Sequence, residues 1–326
     1  MSKKYLLLVL FFLCKSSIYS QNLRLFDWQL YTSYKNIIAS TVDDSGNLWC
    51  GTNGGIFVYS PSNNSFKTFN SMNGILSNNV TAIYFDTTSK LIFAGFSDGM
   101  IEIFTKDFKI QHVTSISTSN FPNLKINKII SYDGFLYIAT GFGIAVYDIN
   151  KGIFSTSVVK IADWDRTENI NYIHIFDNKI WAASKSGIAF CELSKFIEIP
   201  SNWEILEFPS NNKSICGITD FQNQLLFCNN QEVFATKNNS ATSILQVNQD
   251  IIALISNDFS FWVITQNGIM DKQGNYIYTN ECNGGFVNNN LMLANTGKGI
   301  VIIKDGNTGE EISPNSPSNN VFSSLA

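Results

Sequence analysis

Apolar and polar positions alternate with a period of two along most of this chain. The clearest runs are IIASTVDD (37–44), VTAIYFD (80–86), INKIISYD (126–133), INYIHIFD (170–177), ICGITDFQ (215–222) and IIALISND (251–258). Such alternation predicts half-buried strands, because one face of each strand packs while the other meets solvent; a helix would show a period of 3.6. Each run ends in Asp, Asn or Gln followed by Gly or a polar residue, the signature of a hairpin turn. A second unit then follows: an apolar or aromatic pair, a small or polar run, Gly, and another apolar run. Its copies are LWCGTNGGIFVY (48–59), LIFAGFSDGMIEIF (91–104), LYIATGFGIAVYDI (136–149) and IWAASKSGIAFCEL (180–193). Weaker copies follow as LLFCNNQEVFAT (225–236), FWVITQNGIMDK (261–272) and MLANTGKGIVII (292–303).

The glycine before the second apolar run sets a register. Gly55, Gly99, Gly143 and Gly187 lie 44 residues apart; Glu232 takes the glycine's place 45 residues later, and Gly268 and Gly299 follow after 36 and 31. Six residues ahead of each stands a large apolar residue: Trp49, Phe93, Tyr137, Trp181, Leu226, Trp262 and Leu293. More polar strands such as FKTF (66–69) and KIQHV (109–113) complete the period. A four-stranded antiparallel meander of about 44 residues, repeated seven times, predicts an all-β fold: a seven-bladed β-propeller of four-stranded antiparallel blades. The aromatic positions are expected to pack between blades.

The two ends bear on closure. DWQLYTSY (27–34) is expected to supply an outer strand to the seventh blade, with GEEI (309–312) as the alternative source of that strand. The propeller is expected over 22–312. SPNSPSNN (313–320) reads as a linker, and SNNVFSSL (318–325) echoes SNNVTAIY (77–84), so 313–326 is expected to be a linker and the start of a truncated second propeller.

Composition agrees with this plan. The chain holds 39 asparagines, suited to many turns, and 26 Phe, 12 Tyr and 6 Trp, suited to wide packing faces. Residues 1–20 carry Lys3 and Lys4 ahead of a ten-residue apolar stretch, Tyr5–Cys14, and are expected to be a secretory signal peptide. Leu13 before Cys14 is not the small residue that lipoprotein processing requires. Losing Lys3, Lys4 and Lys15 with the leader takes the net charge from −4 to −7. No later stretch is apolar enough to span a membrane. Arg24 and Arg166 are the only arginines, which argues against nucleic-acid binding. Of the cysteines beyond the leader, Cys216 and Cys228 could meet across one hairpin; no spacing forms a metal or redox motif.

Catalytic chemistry finds little to stand on. His112 and His174 are the only histidines and lie in an outer and an inner strand. Gly51–Gly55 lies between strands and not ahead of a helix, so it is no phosphate loop. Asp86, Asp133, Asp177 and Asp258 recur at inner-strand ends and read as turn formers, with Asp44-Ser45-Gly46-Asn47 the clearest turn. No cofactor or metal is expected, and the chain reads as non-enzymatic. Ligands of propellers commonly meet the face made by the second-to-third-strand turns and the links between blades. The candidate binding residues there are Asn53, Asp98, Phe142, Lys185, Gln231, Gln266 and Lys298, with Asp165 and Arg166 in the link 162–169. That mixture suits carbohydrate or protein contact.

Gly46-Asn47-Leu48-Trp49-Cys50-Gly51-Thr52-Asn53-Gly54-Gly55-Ile56 and Asn73-Gly74-Ile75-Leu76-Ser77-Asn78-Asn79-Val80 resemble the repeat and linker of sensor propellers in bacterial two-component regulators. More particularly, the chain after residue 21 resembles the N-terminal propeller of the PorZ family, surface components of the type IX secretion system. Trp28-Gln29-Leu30-Tyr31, 46–60, Phe96-Ser97-Asp98-Gly99-Met100-Ile101-Glu102 and 136–144 carry that resemblance. It implies an exported, outer-membrane-associated module that works beside other attachment-complex proteins and handles anionic lipopolysaccharide for a partner sortase. The competing expectation is a periplasmic ligand-sensing propeller of a hybrid two-component regulator. An exported propeller lyase or glycosidase ranks last, for want of an acid–base pair.

Overall fold

The computed structural model describes residues 31–237, 240–288, 291–304 and 307–320. Blade one is built from β1 (Ile37–Val42), β2 (Leu48–Thr52), β3 (Gly55–Ser60) and β4 (Ser65–Phe69). Blade two follows with β5 (Val80–Asp86), β6 (Leu91–Phe96), β7 (Ile101–Phe104) and β8 (Ile110–Val113). Blade three is β9 (Ile126–Tyr132), β10 (Phe135–Thr140), β11 (Gly143–Asp148) and β12 (Ile153–Val158); blade four is β13 (Tyr172–Phe176), β14 (Lys179–Ser184), β15 (Gly187–Glu192) and β16 (Glu204–Ile205). Blade five comprises β17 (Gly217–Phe221), β18 (Gln224–Cys228), β19 (Glu232–Lys237) and β20 (Ser240–Gln246). Blade six comprises β21 (Ile251–Ser256), β22 (Phe261–Thr265), β23 (Gly268–Met270) and β24 (Tyr276–Tyr278), and blade seven β25 (Gly284–Val287), β26 (Met292–Asn295), β27 (Ile300–Lys304) and β28 (Asn307–Ile312). Every sheet pairs its four strands in chain order, which is the seven-bladed propeller the repeat predicts.

The hairpin signals become tight turns. Asp133-Gly134, Asp177-Asn178 and Gln222-Asn223 all take positive φ at both central positions, which matches the right-handed twist of the flanking strands. At the Asp44-Ser45-Gly46-Asn47 turn the capping carboxylate belongs to Asp43. It accepts the Ser45 and Asn47 amides at 2.9 Å, the Asn47 side chain at 2.9 Å and the Trp49 indole N–H at 3.0 Å. Asp86 is more than a turn former. It is buried and accepts the Ser131 hydroxyl of the next blade at 2.6 Å. Burial alone would raise its carboxyl, but the hydrogen bonds from Ser131, Ser89 and Thr88 outweigh it and hold the group below the ordinary aspartate value.

The core is seven wedges, each shared by two adjacent blades. Trp49 is buried and meets Phe69 of its own blade with Phe104 and Phe108 of the next, ring centroids 5.2–6.4 Å apart. Trp181 packs likewise into a wedge with Phe208, Ile218 and Phe227, Tyr137 lies against the wedge between blades three and four, and Trp262 against that between six and seven. The aromatic register thus fills the gaps between blades. The last wedge joins Ile37, Leu48, Cys50 and Phe57 of blade one to Leu293 and Ile300 of blade seven and closes the ring.

Closure differs from the expectation for residues 27–34. The outer strand of blade seven is β28, hydrogen-bonded to β27 through Ile300↔Ile312 and Val301↔Glu311, so the fourth-strand place of that blade is filled from 307–312. Tyr31–Tyr34 are not strand; residues 27–30 lie outside the described residues. The seam is held by Ile37 N–H to the Thr296 carbonyl (3.0 Å), the Ser40 hydroxyl to Asn295 Oδ1 (2.6 Å) and the Asn283 amide to Asn36 Oδ1 (2.7 Å). The segment 313–320 folds back over this seam, where Asn320 Oδ1 accepts from Ser33 N–H (2.5 Å) and Thr32 Oγ1 (3.0 Å), and Ser316 Oγ from Tyr34 N–H (3.2 Å). The expected signal peptide and the apolar run 321–326 lie outside the described residues. Cys216 and Cys228 do meet across their hairpin, as free thiols with Sγ atoms 3.1 Å apart.

Candidate functional site

The face of second-to-third-strand turns is rigid because each turn is locked from within. Thr52 donates its hydroxyl to the Gly55 carbonyl (2.9 Å) and accepts the Gly54 amide (3.0 Å). Thr140 does the same with Gly143 (2.9 Å) and Phe142 (3.2 Å), and Thr296 with Gly299 (2.9 Å) and Lys298 (3.0 Å). Thr265 donates to Gly268, Ser184 accepts from Ser186, and Asn229 accepts the Gln231 and Glu232 amides. All six are buried. A buried hydroxyl that both donates and accepts satisfies backbone groups that water cannot reach. The signal was present as a small polar residue three places before the register position in six of the seven copies; it lay inside the "small or polar run" without a role.

The links between blades are anchored onto these turns. Ile170 N–H reaches the Thr140 carbonyl at 3.0 Å, and Ser186 Oγ donates to the buried Glu168 at 2.7 Å. The link 159–170 therefore spans from the turn of blade three to that of blade four. Asp165 and Arg166 stand exposed on it, and Lys185 stands exposed beside Ser186, so these three candidates share one stretch of the rim. Gln266 and Lys298 are also exposed and flank the link between blades six and seven, where Cys282 N–H bonds the Gln266 carbonyl at 3.1 Å. Lys298 borders a groove of about 560 Å³ with Tyr278, Asn280, Glu281, Thr308 and Glu311. Asn53 is exposed at the ring seam, where Asn320 donates to it at 3.1 Å, and Asp98 is exposed while accepting the Met100 amide of its own turn at 3.2 Å. Gln231 is exposed on the turn of blade five.

Phe142 is a correction. It is 1% exposed and stacks flat on Phe121 with centroids 3.9 Å apart, so it offers no surface to a ligand. The partner ring comes from the link between blades two and three, whose path no periodicity announces. The remaining candidates spread around the rim and do not converge in one pocket.

The histidines are held apart, one in blade two and the other in blade four. His112 Nδ1 lies 2.5 Å from Glu102, whose carboxylate also accepts the Leu76 amide at 2.8 Å. Burial raises the Glu102 carboxyl, and the bonds from Leu76 and His112 only partly oppose that. His174 Nε2 lies 2.8 Å from Asp220 of the next blade, and this hydrogen bond holds the Asp220 carboxyl below its usual value. Among the described residues no cluster of three or more His, Cys, Asp or Glu is placed to hold a metal ion, and no helix is long and apolar enough to cross a membrane.

Along the axis, the inner strands β1, β5, β9, β13, β17, β21 and β25 enclose a channel of about 540 Å³. The Tyr172 hydroxyl, on blade four, donates to the Ile252 carbonyl two blades away at 3.4 Å.

Residues 48–204 match the family model described as TSS9, PorZ, N-terminal beta-propeller domain. Among solved structures the chain resembles PorZ of Porphyromonas gingivalis, described as an essential bacterial surface component of the type-IX secretion system. The two superpose with a TM-score of 0.76 at 14% identity over 90% of this chain, which spans 41% of that one. It also resembles the extracellular domain of BT4673 from B. thetaiotaomicron, described once as a one-component and once as a hybrid two-component system. Those likenesses have TM-scores of 0.65 and 0.63, at 16% and 19% identity, over 84% and 80% of this chain and 39% of the other. At such identities the likeness is one of fold. No curated protein matches the chain.

Proposed function

From the match of residues 48–204 to the PorZ N-terminal propeller family, we propose that this chain is a non-enzymatic interaction module of a type IX secretion attachment complex. In this reading it is exported, works at the cell surface, and helps handle anionic lipopolysaccharide for a partner sortase. The observation that carries the reading is the family match itself, together with PorZ-like blade order over nine-tenths of the chain. The contact surface we assign is the rim bearing Asp165, Arg166 and Lys185, with Asn53, Asp98, Gln266 and Lys298 around the same face. Its locked turns present polar side chains without a loop-ordering cost on binding, which is how a rigid scaffold keeps affinity.

Affinity capture of the intact protein from outer membranes tests this. Secretion-complex proteins are expected to be recovered, and the pair Arg166→Glu with Lys185→Glu is expected to lower that recovery at least about tenfold, since reversing rim charges sets like against like. Capture that brings down no secretion component would overturn the reading. The likeness to BT4673 favours a second one, a ligand-sensing propeller of a two-component regulator. It requires a membrane span and a signalling domain in the same polypeptide, which the gene's full reading frame decides.

A further inference from the structure

The axial channel, independent of the rim, carries a chemistry that the proposed function does not use. Its wall is half polar and half hydrocarbon, the hydrocarbon coming from Ile83, Ile130, Ile173, Ile218, Leu254 and Phe286 on six different strands. Lys128, the third residue of β9, is the only lysine or arginine on that wall. The other charged or titratable groups there are already partnered. Asp44 pairs with Lys90 at 2.6 Å, Asp43 accepts from Trp49 and Asn47, and His174 pairs with Asp220. Several hydroxyls there are engaged as well: Ser256 donates to the Asp220 carbonyl (2.7 Å), Thr219 pairs with Ser256, and Tyr84 pairs with Ser131 (2.9 Å). Lys128 is the one charged side chain on that wall with no hydrogen-bond or ion-pair partner among the described residues.

We propose that this channel binds a small organic carboxylate with an apolar body, its carboxylate held by the Lys128 ammonium and its body by the isoleucine-rich wall. A concave space of several hundred cubic ångströms that sets apolar side chains beside one convergent charged group is a form small-molecule sites take. A lysine facing only solvent has little reason to sit at the axis, where confinement disfavours its charge. Solvent reaches the side chain, while desolvation by the surrounding channel holds the ammonium below the ordinary lysine value. A carboxylate from a ligand supplies the counter-charge the wall withholds.

Isothermal titration of the full chain with octanoate tests this, with octan-1-ol as the neutral counterpart of equal length. Octanoate is expected to bind saturably, one per chain, and at least about tenfold more tightly than octanol, the worth of a charge-assisted hydrogen bond. Lys128→Met is expected to erase that preference while keeping its melting temperature, and Lys128→Arg to retain most of it. A fill-in variant, Ile130→Trp, is expected to block both ligands and so place the site in the channel. The octanoate–octanol comparison on the unaltered chain needs no variant to fold. Absence of saturable octanoate binding in the millimolar range overturns the proposal, as does binding that Lys128→Met leaves unchanged.

Discussion

Gly143 and Gly187 occupy the same place in their blades, one at the head of β11 and one at the head of β15, with φ of 134° and 133°. Their surroundings differ. A Cβ on Gly143 would lie 2.0 Å from the Val158 carbonyl oxygen, whereas a Cβ on Gly187 meets nothing within 4 Å. The reason is the outer strand. In blade three β12 runs the full length of β11 and pairs Ile144 with Val158, while in blade four β16 is two residues long and pairs only with Ala189 and Phe190. Substituting alanine therefore separates two costs that usually arrive together. Both variants incur the backbone penalty of a side chain at this φ, about 1–3 kcal/mol. Only Gly143→Ala must also push a backbone carbonyl aside, since 2.0 Å is more than an ångström inside contact distance; the added cost is about 1–3 kcal/mol. Gly187→Ala should thus lose roughly 1–3 kcal/mol and Gly143→Ala roughly 2–6 kcal/mol. Urea unfolding followed by tryptophan fluorescence reads both, and equal m-values would show that the denatured states match. Equal losses in the two variants, within about 0.5 kcal/mol, would falsify the assignment of the extra cost to the Val158 carbonyl.

Two further outcomes follow from buried polar groups. Thr140→Val keeps the shape of the side chain but removes the hydroxyl's bonds to the Gly143 carbonyl and the Phe142 amide, so thermal or urea unfolding should show a loss of about 1–3 kcal/mol, against less than about 0.5 kcal/mol for the exposed Thr242→Val; a silent Thr140→Val would show that water replaces the hydroxyl. Glu102 bears on pH. Its carboxyl is raised in the folded state, so the fold holds that proton to a higher pH than the unfolded chain does. The associated stability is complete below the ordinary glutamate value and is lost as pH rises through the raised one. Glu102→Gln should flatten that slope in chemical-denaturation curves taken across acidic pH, and an unchanged slope would assign it to another group.

The architecture was legible because it is written in repetition. β5 occupies 80–86 as its alternation predicts, and Trp49, Tyr137, Trp181 and Trp262 lie between blades as their shared register requires. What stayed hidden depends on contacts between segments that do not repeat. The identity of the turn cap, Asp43 and not Asp44, is set by how the backbone leaves β1. The burial of Phe142 is set by Phe121, which arrives from an irregular link. Closure could be read either way from composition alone, and it was settled by the pairing of β28 with β27, which takes the outer-strand place of blade seven. The site was legible only as a face. Which of its residues are free, and that an unpartnered lysine looks into the channel, required the third dimension.

The seam has a consequence in time. Each blade is an unbroken stretch of chain, so six wedges can assemble one after another as the polypeptide lengthens, each needing contacts only to its neighbour. The hydrogen bonds of greatest sequence separation, Thr32 and Ser33 to Asn320 and Tyr34 to Ser316, all sit where the ring meets itself. Their loop-closure entropy is met once, at the end. Until that moment blade one keeps an uncovered apolar flank, Ile37, Leu48 and Phe57, which only the last blade can shelter. The first blade made is the last to be finished, and any factor that guards the nascent propeller has that flank to cover.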